Sequence, residues 1–397
     1  MICKPHVWIE ISKSALEHNL RVYKQAIGVD KLMGCVVKSN AYGHGIVEVA
    51  RICQETGAAD WLFTATLSEA LLLRAQGITL PILVMYFIDE DPRLAIENNI
   101  HLIVSDKEML EELNVCSKSL HDQEHMNSEK LLNSEKQINK RFKVHIKIDT
   151  GMSRFGFLPS ESLELVKYAR SLPGIEVTGI YSHLAQAAAA DQSYSIEQQA
   201  QFCAVIEKLK EEGIQIPFKH LTSTGGTTAL SQKYTNIVRV GLGCYGWWPS
   251  IANKELTQKN FPEFELKPVL TLKTKIYQIR QLEAGKYVGY DSTHKTVGPT
   301  RIAVLPVGYY DGYDRRLSNK GLVLINNQYA QVIGIVAMTT ILADITSIAD
   351  AKVGDEVALI GNYERITPTQ IAHDIGSFNA REILTRLNPL IPRIIVP

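Results

Sequence analysis

The sequence predicts an α/β protein with an N-terminal (β/α)8, TIM-like barrel over residues 1–255 and a C-terminal, mostly antiparallel β domain over residues 256–397. Three observations predict it. Near-continuous apolar strands alternate with helical stretches through the first part of the chain, as in a parallel sheet covered on both faces. About eight such units fill about 240 residues, the size and repeat of a closed barrel. After Pro249 the texture changes to strands that alternate apolar and polar residues, with turn signals between them and few helices.

Each element has its own justification. Val7–Ile11 alternates as a strand, and Ser12–Ala26 follows as a helix with Ser12 or Ser14 as cap and Leu16, Leu20 and Tyr23 on one face. Val36 and Val37 close a short β-branched run that ends at Lys38. A small-residue, glycine-containing turn and a helix with Ile46, Val49 and Ile52 come next, ended by Gly57. Trp61–Ala65, Pro81–Met85 and His101–Ser105 are further strands, and Ser68–Arg74 is a helix stopped by Gly77 as a C-cap would stop it. The pattern breaks at 115–141, where polar and charged residues predict a solvated, partly helical insertion on the surface. It resumes with strands at Lys143–Asp149, Val177–His183, Lys219–Ser223 and Ile237–Gly241. In the β domain, Leu270–Ile276, Ile302–Pro306, Gly321–Ile325, Ala330–Val336 and Asp355–Ile360 read as strands. Asn326-Asn327 is a turn signal, and Thr367–Asp374 is a helix.

Composition narrows the function. Lys+Arg 42 balances Asp+Glu 42, which argues against nucleic acid or an anionic membrane as the main partner. The six cysteines are scattered without a CxxC pair, so no structural metal or disulfide framework is expected. The N-terminal residues lack an apolar secretion core and no apolar run is long enough to span a bilayer, which predicts a cytoplasmic protein.

Polar residues recur at the expected carboxyl ends of the barrel strands: Lys38, Lys147, His183, Ser223 and Arg239. Taken singly, each has an ordinary structural reading: a solvated strand-end charge, a salt bridge for Arg239, a satisfied buried group for His183, a turn hydroxyl for Ser223. In a barrel, however, strand ends open onto one mouth. Two lysines, a histidine and an arginine there, beside Ser223-Thr224-Gly225-Gly226 and Val240-Gly241-Leu242-Gly243, describe a site for an anionic, phosphate-bearing ligand.

Ordered segments carry a resemblance. Val37-Lys38-Ser39-Asn40-Ala41-Tyr42-Gly43-His44-Gly45, Lys147–Gly156, Tyr181-Ser182-His183, Val238-Arg239-Val240-Gly241, Gly289-Tyr290 and Pro306–Tyr313 make the chain similar, nearly end to end, to the bacterial alanine racemases. These are fold-type III enzymes that use pyridoxal 5′-phosphate (PLP). The resemblance implies that Lys38 carries the cofactor covalently and removes the Cα proton from one face of the substrate, while Tyr290 of a second copy of the chain acts on the other face. Racemisation needs such a pair, because a single base tends to return the proton to the side it left. It further implies a homodimer, and a β domain that contributes to the partner subunit's active site. Arg239 is implied to meet the pyridine nitrogen, with His183 orienting it. Tyr42, Ser223, Gly241 and Leu242 are implied to contact the phosphate, and Arg154 and Met338 the substrate carboxylate. Tyr309 resembles a residue at the substrate entrance, and Lys147 a lysine often converted to a carbamate.

Two positions depart from the family pattern. Thr339 follows Met338 where an aspartate is usual, and Arg381 stands near a position that often holds a phosphate-contacting tyrosine. Arg381 is expected to form a salt bridge. The implied reaction is interconversion of L- and D-alanine, supplying D-alanine for peptidoglycan. A broader-specificity or serine racemase is an open alternative. A non-catalytic PLP-binding barrel is disfavoured by the β domain and Tyr290, and a decarboxylase of the same fold type by Arg154 and Tyr290.

Overall fold

The computed structural model describes residues 5–128, 141–377 and 379–397. The chain divides into two units. One comprises Glu17–Lys38 and Ala50–Leu266, and the other Met1–Leu16, Ser39–Val49 and Lys267–Pro397.

The first strand, β1 (Val7–Ser12), lies in the second unit. The first unit is a closed parallel barrel of eight strands: β2 (Leu32–Val36), β3 (Trp61–Thr66), β4 (Ile82–Phe87), β5 (Ile100–Val104), β6 (Phe142–Lys147), β7 (Ile175–Tyr181), β8 (Phe218–His220) and β9 (Ile237–Val240). It closes where β2 pairs with β9, with Gly34 opposite Arg239 and Cys35 opposite Val240. β5 is buried at every position, which explains why the barrel strands read as apolar runs without alternation. Helices cover the outside. The helix Leu67–Ala75 is capped by Thr66, whose side chain accepts from the Glu69 amide. The expected insertion begins within the helix Lys107–Ser128, and its remainder, 129–140, lies outside the described residues.

The second unit is built on a nine-stranded sheet. Its members are β1, β10 (Leu270–Lys275), β11 (Gln278–Leu282), β14 (Thr300–Leu305), β15 (Leu322–Ile325), β16 (Gln328–Val332), β17 (Ile341–Asp344), β18 (Glu356–Ile360) and β19 (Arg393–Val396). β12 (Tyr287–Val288) and β13 (His294–Lys295) form a separate ribbon. The large sheet runs β11-β14-β17-β16-β15-β18-β10-β1-β19. Val7–Ile11, expected at the head of the barrel series, therefore belongs to this sheet and not to the barrel. The reason is alternation. β1 pairs antiparallel with β10, setting Ile9 opposite Leu272 and Ile11 opposite Leu270. Glu10, on the other face, meets Lys273 at 2.9 Å. The β15–β16 hairpin turns on Asn326 and Asn327, both left-handed (φ 47 and 61), as a two-residue hairpin loop requires.

Candidate active site

Lys38 stands two residues beyond the end of β2, and the Val37 amide still donates to Phe63 O at 2.9 Å, so the lysine leaves the barrel at a strand end. The backbone then does something unusual. Ser39, Asn40, Ala41 and Tyr42 are all left-handed, with φ between 52 and 55. Each such residue costs about 1–2 kcal/mol. The turn is held by its own polar groups. Asn40 Oδ1 accepts from the Ile46 amide at 2.9 Å, the Gly45 amide donates to Asn40 O at 3.0 Å, and Arg393 Nη2 donates to Gly43 O at 3.0 Å. Gly43 is itself left-handed (φ 87), and a Cβ there would meet Leu384 O at 2.0 Å.

Within the barrel unit, Lys38 Nζ donates to the Tyr86 hydroxyl at 3.3 Å and lies 4.6 Å from the centre of that ring. Arg154 Nη2 donates to the same hydroxyl at 3.3 Å, with its guanidinium 5.2 Å from the ring centre. Lys147, at the end of β6, is 4% exposed and sits over Tyr181 at 4.6 Å. Burial, then Arg239 and Arg154, pull its pKa down to about 7. The carboxylate that opposes this shift is Asp149. Its Oδ1 is already engaged by the amides of Gly151, Met152 and Ser153.

Arg239, on β9, is 2% exposed, and burial lowers its pKa to about 10. It is held by neutral acceptors: Ser182 O at 2.8 Å, Leu221 O at 3.0 Å, His183 Nδ1 at 3.3 Å and His220 Nδ1 at 2.6 Å. Behind it runs a file of imidazoles. His220 Nε2 is 2.8 Å from His145 Nδ1, and His145 Nε2 is 3.2 Å from His101 Nδ1. Gly179 makes room for the file, since a Cβ there would lie 2.2 Å from the His145 ring. An arginine can only donate, so His220 Nδ1 accepts and Nε2 carries the proton. The same logic passes to His145 and on to His101. All these rings are neutral: burial lowers His101 to about 3, and pushes His145, His183 and His220 well below the ordinary value.

The turns that flank Arg239 are fixed by side-chain contacts. Ser223 precedes the helix Thr224–Ala229 without capping it through its side chain. Thr224 Oγ1 accepts from the Gly241 amide at 3.0 Å and fixes the Gly241–Leu242 turn. The Tyr245 hydroxyl donates to Val36 O at 2.7 Å, tying that turn to the strand that ends at Lys38.

Lys38, Lys147, Arg154, His183, Ser223, Arg239, Gly241 and Leu242 thus all lie in the barrel unit at or just beyond strand ends. Tyr42, Tyr290, Tyr309 and Met338 lie in the other unit. There, Tyr290 is 69% exposed on a turn entered through left-handed Gly289 (φ 75). Tyr309 and Met338 come from adjoining turns, joined by the Tyr309 amide on Ala337 O at 3.1 Å and the Tyr310 amide on Met338 O at 3.0 Å. Among the described residues Arg381 has no acidic partner for the expected salt bridge; its Nε donates to the Asn379 side chain at 2.9 Å. The sequence reading missed Tyr86, and it recorded His101, His145 and His220 only as strand residues.

A closed parallel barrel with cationic side chains and Gly-rich turns at its strand ends, joined in one chain to an antiparallel sheet, defines a barrel enzyme for a small anionic ligand. The comparisons make the class specific. Residues 11–249 match the model of the alanine racemase N-terminal domain, and residues 269–395 match that of the C-terminal domain. The chain is 37% identical to an alanine racemase of Clostridium perfringens over 99% of this chain and 96% of that one. The structure of an alanine racemase from Clostridium difficile 630 superposes with a TM-score of 0.88 at 32% identity, covering 99% of this chain and 96% of that one. An alanine racemase of Bartonella henselae, solved with covalently bound pyridoxal phosphate, gives 0.79 at 27% identity, covering 99% and 100%. The chain belongs to the alanine racemase family, isomerases that interconvert the enantiomers of alanine.

Proposed function

We propose that the chain racemises alanine by a two-base route, with PLP as cofactor and Lys38 and Tyr290 as the bases. The observation that carries this reading is the barrel-end cluster of Lys38, Lys147, Arg154 and Arg239. There Arg239 is buried against imidazoles and carbonyls, and Asp149 is spent on backbone amides. Such a donor set suits an anionic phosphate ester with a phenolic oxygen and a ring nitrogen. When bound, the cofactor supplies the electron-withdrawing ring that acidifies the substrate Cα–H bond.

The residues divide the remaining work. Lys38 would anchor the cofactor covalently and, as an amine, would take or return the Cα proton on its face. Tyr290 of a second copy does so on the opposite face, which makes the active form a homodimer. Arg239 would donate a hydrogen bond to the ring nitrogen and keep its own proton, supported by neutral His220 and His183. Tyr42, Ser223, Gly241 and Leu242 would hold the phosphate. Arg154 and Met338 face the substrate carboxylate, and Tyr309 stands at the entrance. Lys147, with its pKa near 7, is a free amine in a substantial fraction of molecules at neutral pH and so can take up carbon dioxide. As a carbamate it would be an anion for Arg154. The product would serve peptidoglycan assembly in the cytoplasm. Thr339 beside Met338 keeps a serine-accepting pocket in view as the second reading.

The test is a D-amino-acid-oxidase-coupled assay of the purified protein with L-alanine and L-serine, with and without added PLP. PLP-dependent turnover of L-alanine well above that of L-serine is expected, and Lys38→Ala should lose it. Full activity in the Lys38→Ala protein would sink the assignment, and equal rates on serine would replace the alanine preference with the broader one.

A further inference from the structure

We propose that Tyr86 is a positioning residue for the racemase reaction: its phenolic oxygen gathers the Lys38 amine and the Arg154 guanidinium at one point and so aims Lys38 at the substrate Cα. The inference rests on the reading of Lys38 as anchor and base.

Four observations support it. Both Lys38 Nζ and Arg154 Nη2 reach the Tyr86 hydroxyl at 3.3 Å. The Lys38 amine and the Arg154 guanidinium both donate in these contacts, so the phenolic oxygen accepts twice. Second, both cations also lie over the ring face, at 4.6 and 5.2 Å, an arrangement that adds to the hydrogen bonds. Third, the ring is hemmed in by aromatic neighbours. Phe155, the residue after Arg154, approaches edge-on at 6.1 Å, and Phe87 lies at 6.1 Å on the same strand. Fourth, the β3–β4 register breaks here. Thr64 pairs with Val84 but Thr66 pairs with Phe87, so β4 carries one extra residue beside Tyr86. Bulges of this kind re-aim a side chain next to a site.

The chemical consequence concerns the lysine stem. It has four rotatable carbons and would lose up to about 2 kcal/mol of rotamer freedom on being fixed. As a free amine, Lys38 has two N–H donors and one lone pair. Giving an N–H to Tyr86 directs the lone pair away from the phenol. Because Arg154 shares the same oxygen, the position of the base is linked to the group assigned to the substrate carboxylate. Burial alone would raise the phenol's pKa, but Lys38 and Arg154 outweigh burial and hold it below the ordinary tyrosine value, so the two cations favour negative charge on the oxygen they share.

The experiment compares the wild-type holoenzyme with Tyr86→Phe, which keeps the ring, and Tyr86→Leu, which removes it. In Tyr86→Phe, kcat for alanine should fall roughly 10-fold with KM changed less than about 3-fold, and further in Tyr86→Leu. With Cα-deuterated alanine, the isotope effect should rise in only one direction of racemisation, the one in which Lys38 removes the proton. The pH at which the holoenzyme's visible absorbance changes should move by about half a unit or more in Tyr86→Phe. Unchanged kcat, isotope effects and absorbance titration in Tyr86→Phe would overturn the proposal. So would unchanged isotope effects and absorbance titration accompanied only by a lower melting temperature, which would mark a structural role. Borohydride reduction followed by peptide mapping separates the two levels. Cofactor fixed to Lys38 in all three proteins, with unchanged kinetics, removes Tyr86 alone, whereas no fixation at Lys38 in the wild type removes the underlying reading as well.

Discussion

At the scale of the residue, the chemistry turns on what surrounds each charge. Arg239 is charged and buried, yet it is held by neutral imidazole and carbonyl acceptors. A lysine cannot reproduce this, because a guanidinium presents a planar fork of donors and an ammonium a single compact charge. Arg239→Lys should therefore leave His220 Nδ1 and two carbonyls short of donors, each buried group costing about 1–3 kcal/mol. We expect at least a 10-fold loss of kcat with weakened PLP retention on dialysis. Wild-type kcat and retention in Arg239→Lys would show that the fork is not needed. The residues Lys38, Lys147, His183 and Arg239 were legible in the sequence because each ends an apolar strand. Tyr86 was not, because it sits in a register break that no pattern of apolar residues announces. The imidazole file was also hidden. His101, His145 and His220 are far apart in sequence, and only closure of the barrel stacks them.

At the scale of the element, the left-handed turn after Lys38 is where sequence and geometry diverge most. The segment Ser39–Tyr42 was read correctly as a turn from its small residues and glycines, but its handedness had no signal except Asn40, a residue that tolerates such backbone. Asn40 does double duty, because its Oδ1 also caps the following helix through the Ile46 amide. Asn40→Ala should destabilise the protein by about 1–3 kcal/mol through loss of both functions. Because the turn starts at Lys38, PLP affinity should fall along with stability. Urea unfolding of the apoenzyme and a PLP titration would check the two effects, and intact stability in Asn40→Ala would refute this account of the turn. The same logic explains β1. Its alternation of Ile9 and Ile11 with Glu10 is that of a sheet pairing with β10, whereas position along the chain suggested the barrel. Periodicity was the better guide, and sequence order misled.

At the scale of the whole molecule, both units bury neutral histidines, and this sets the response to acid. The barrel unit holds His101, His145, His183 and His220, and the other unit holds His44, lowered by burial to about 3. An unfolded histidine takes a proton near pH 6.5. Between that value and the folded one, the unfolded chain binds more protons, so stability falls as the pH falls. The stabilisation is complete above pH 6.5 and is lost progressively below it. At pH 5 each such group costs at most about 2 kcal/mol. Four or five together approach the net stability of an ordinary protein, about 5–15 kcal/mol. Lys147 adds nothing in this window, since its shift, from 10.5 down to about 7, makes stability rise only as the pH climbs between those values. The expected result is a urea midpoint that drops steeply between pH 6.5 and 5 with the rate of unfolding rising in step. His101→Gln should flatten that drop by about one proton, because His101 is the end of the file and its loss leaves the tautomers of His145 and His220 dictated by Arg239. A midpoint that stays level from pH 6.5 to 5 would mean that these rings take up protons without unfolding the chain, and that the neutral file behind Arg239 is not a condition of the fold.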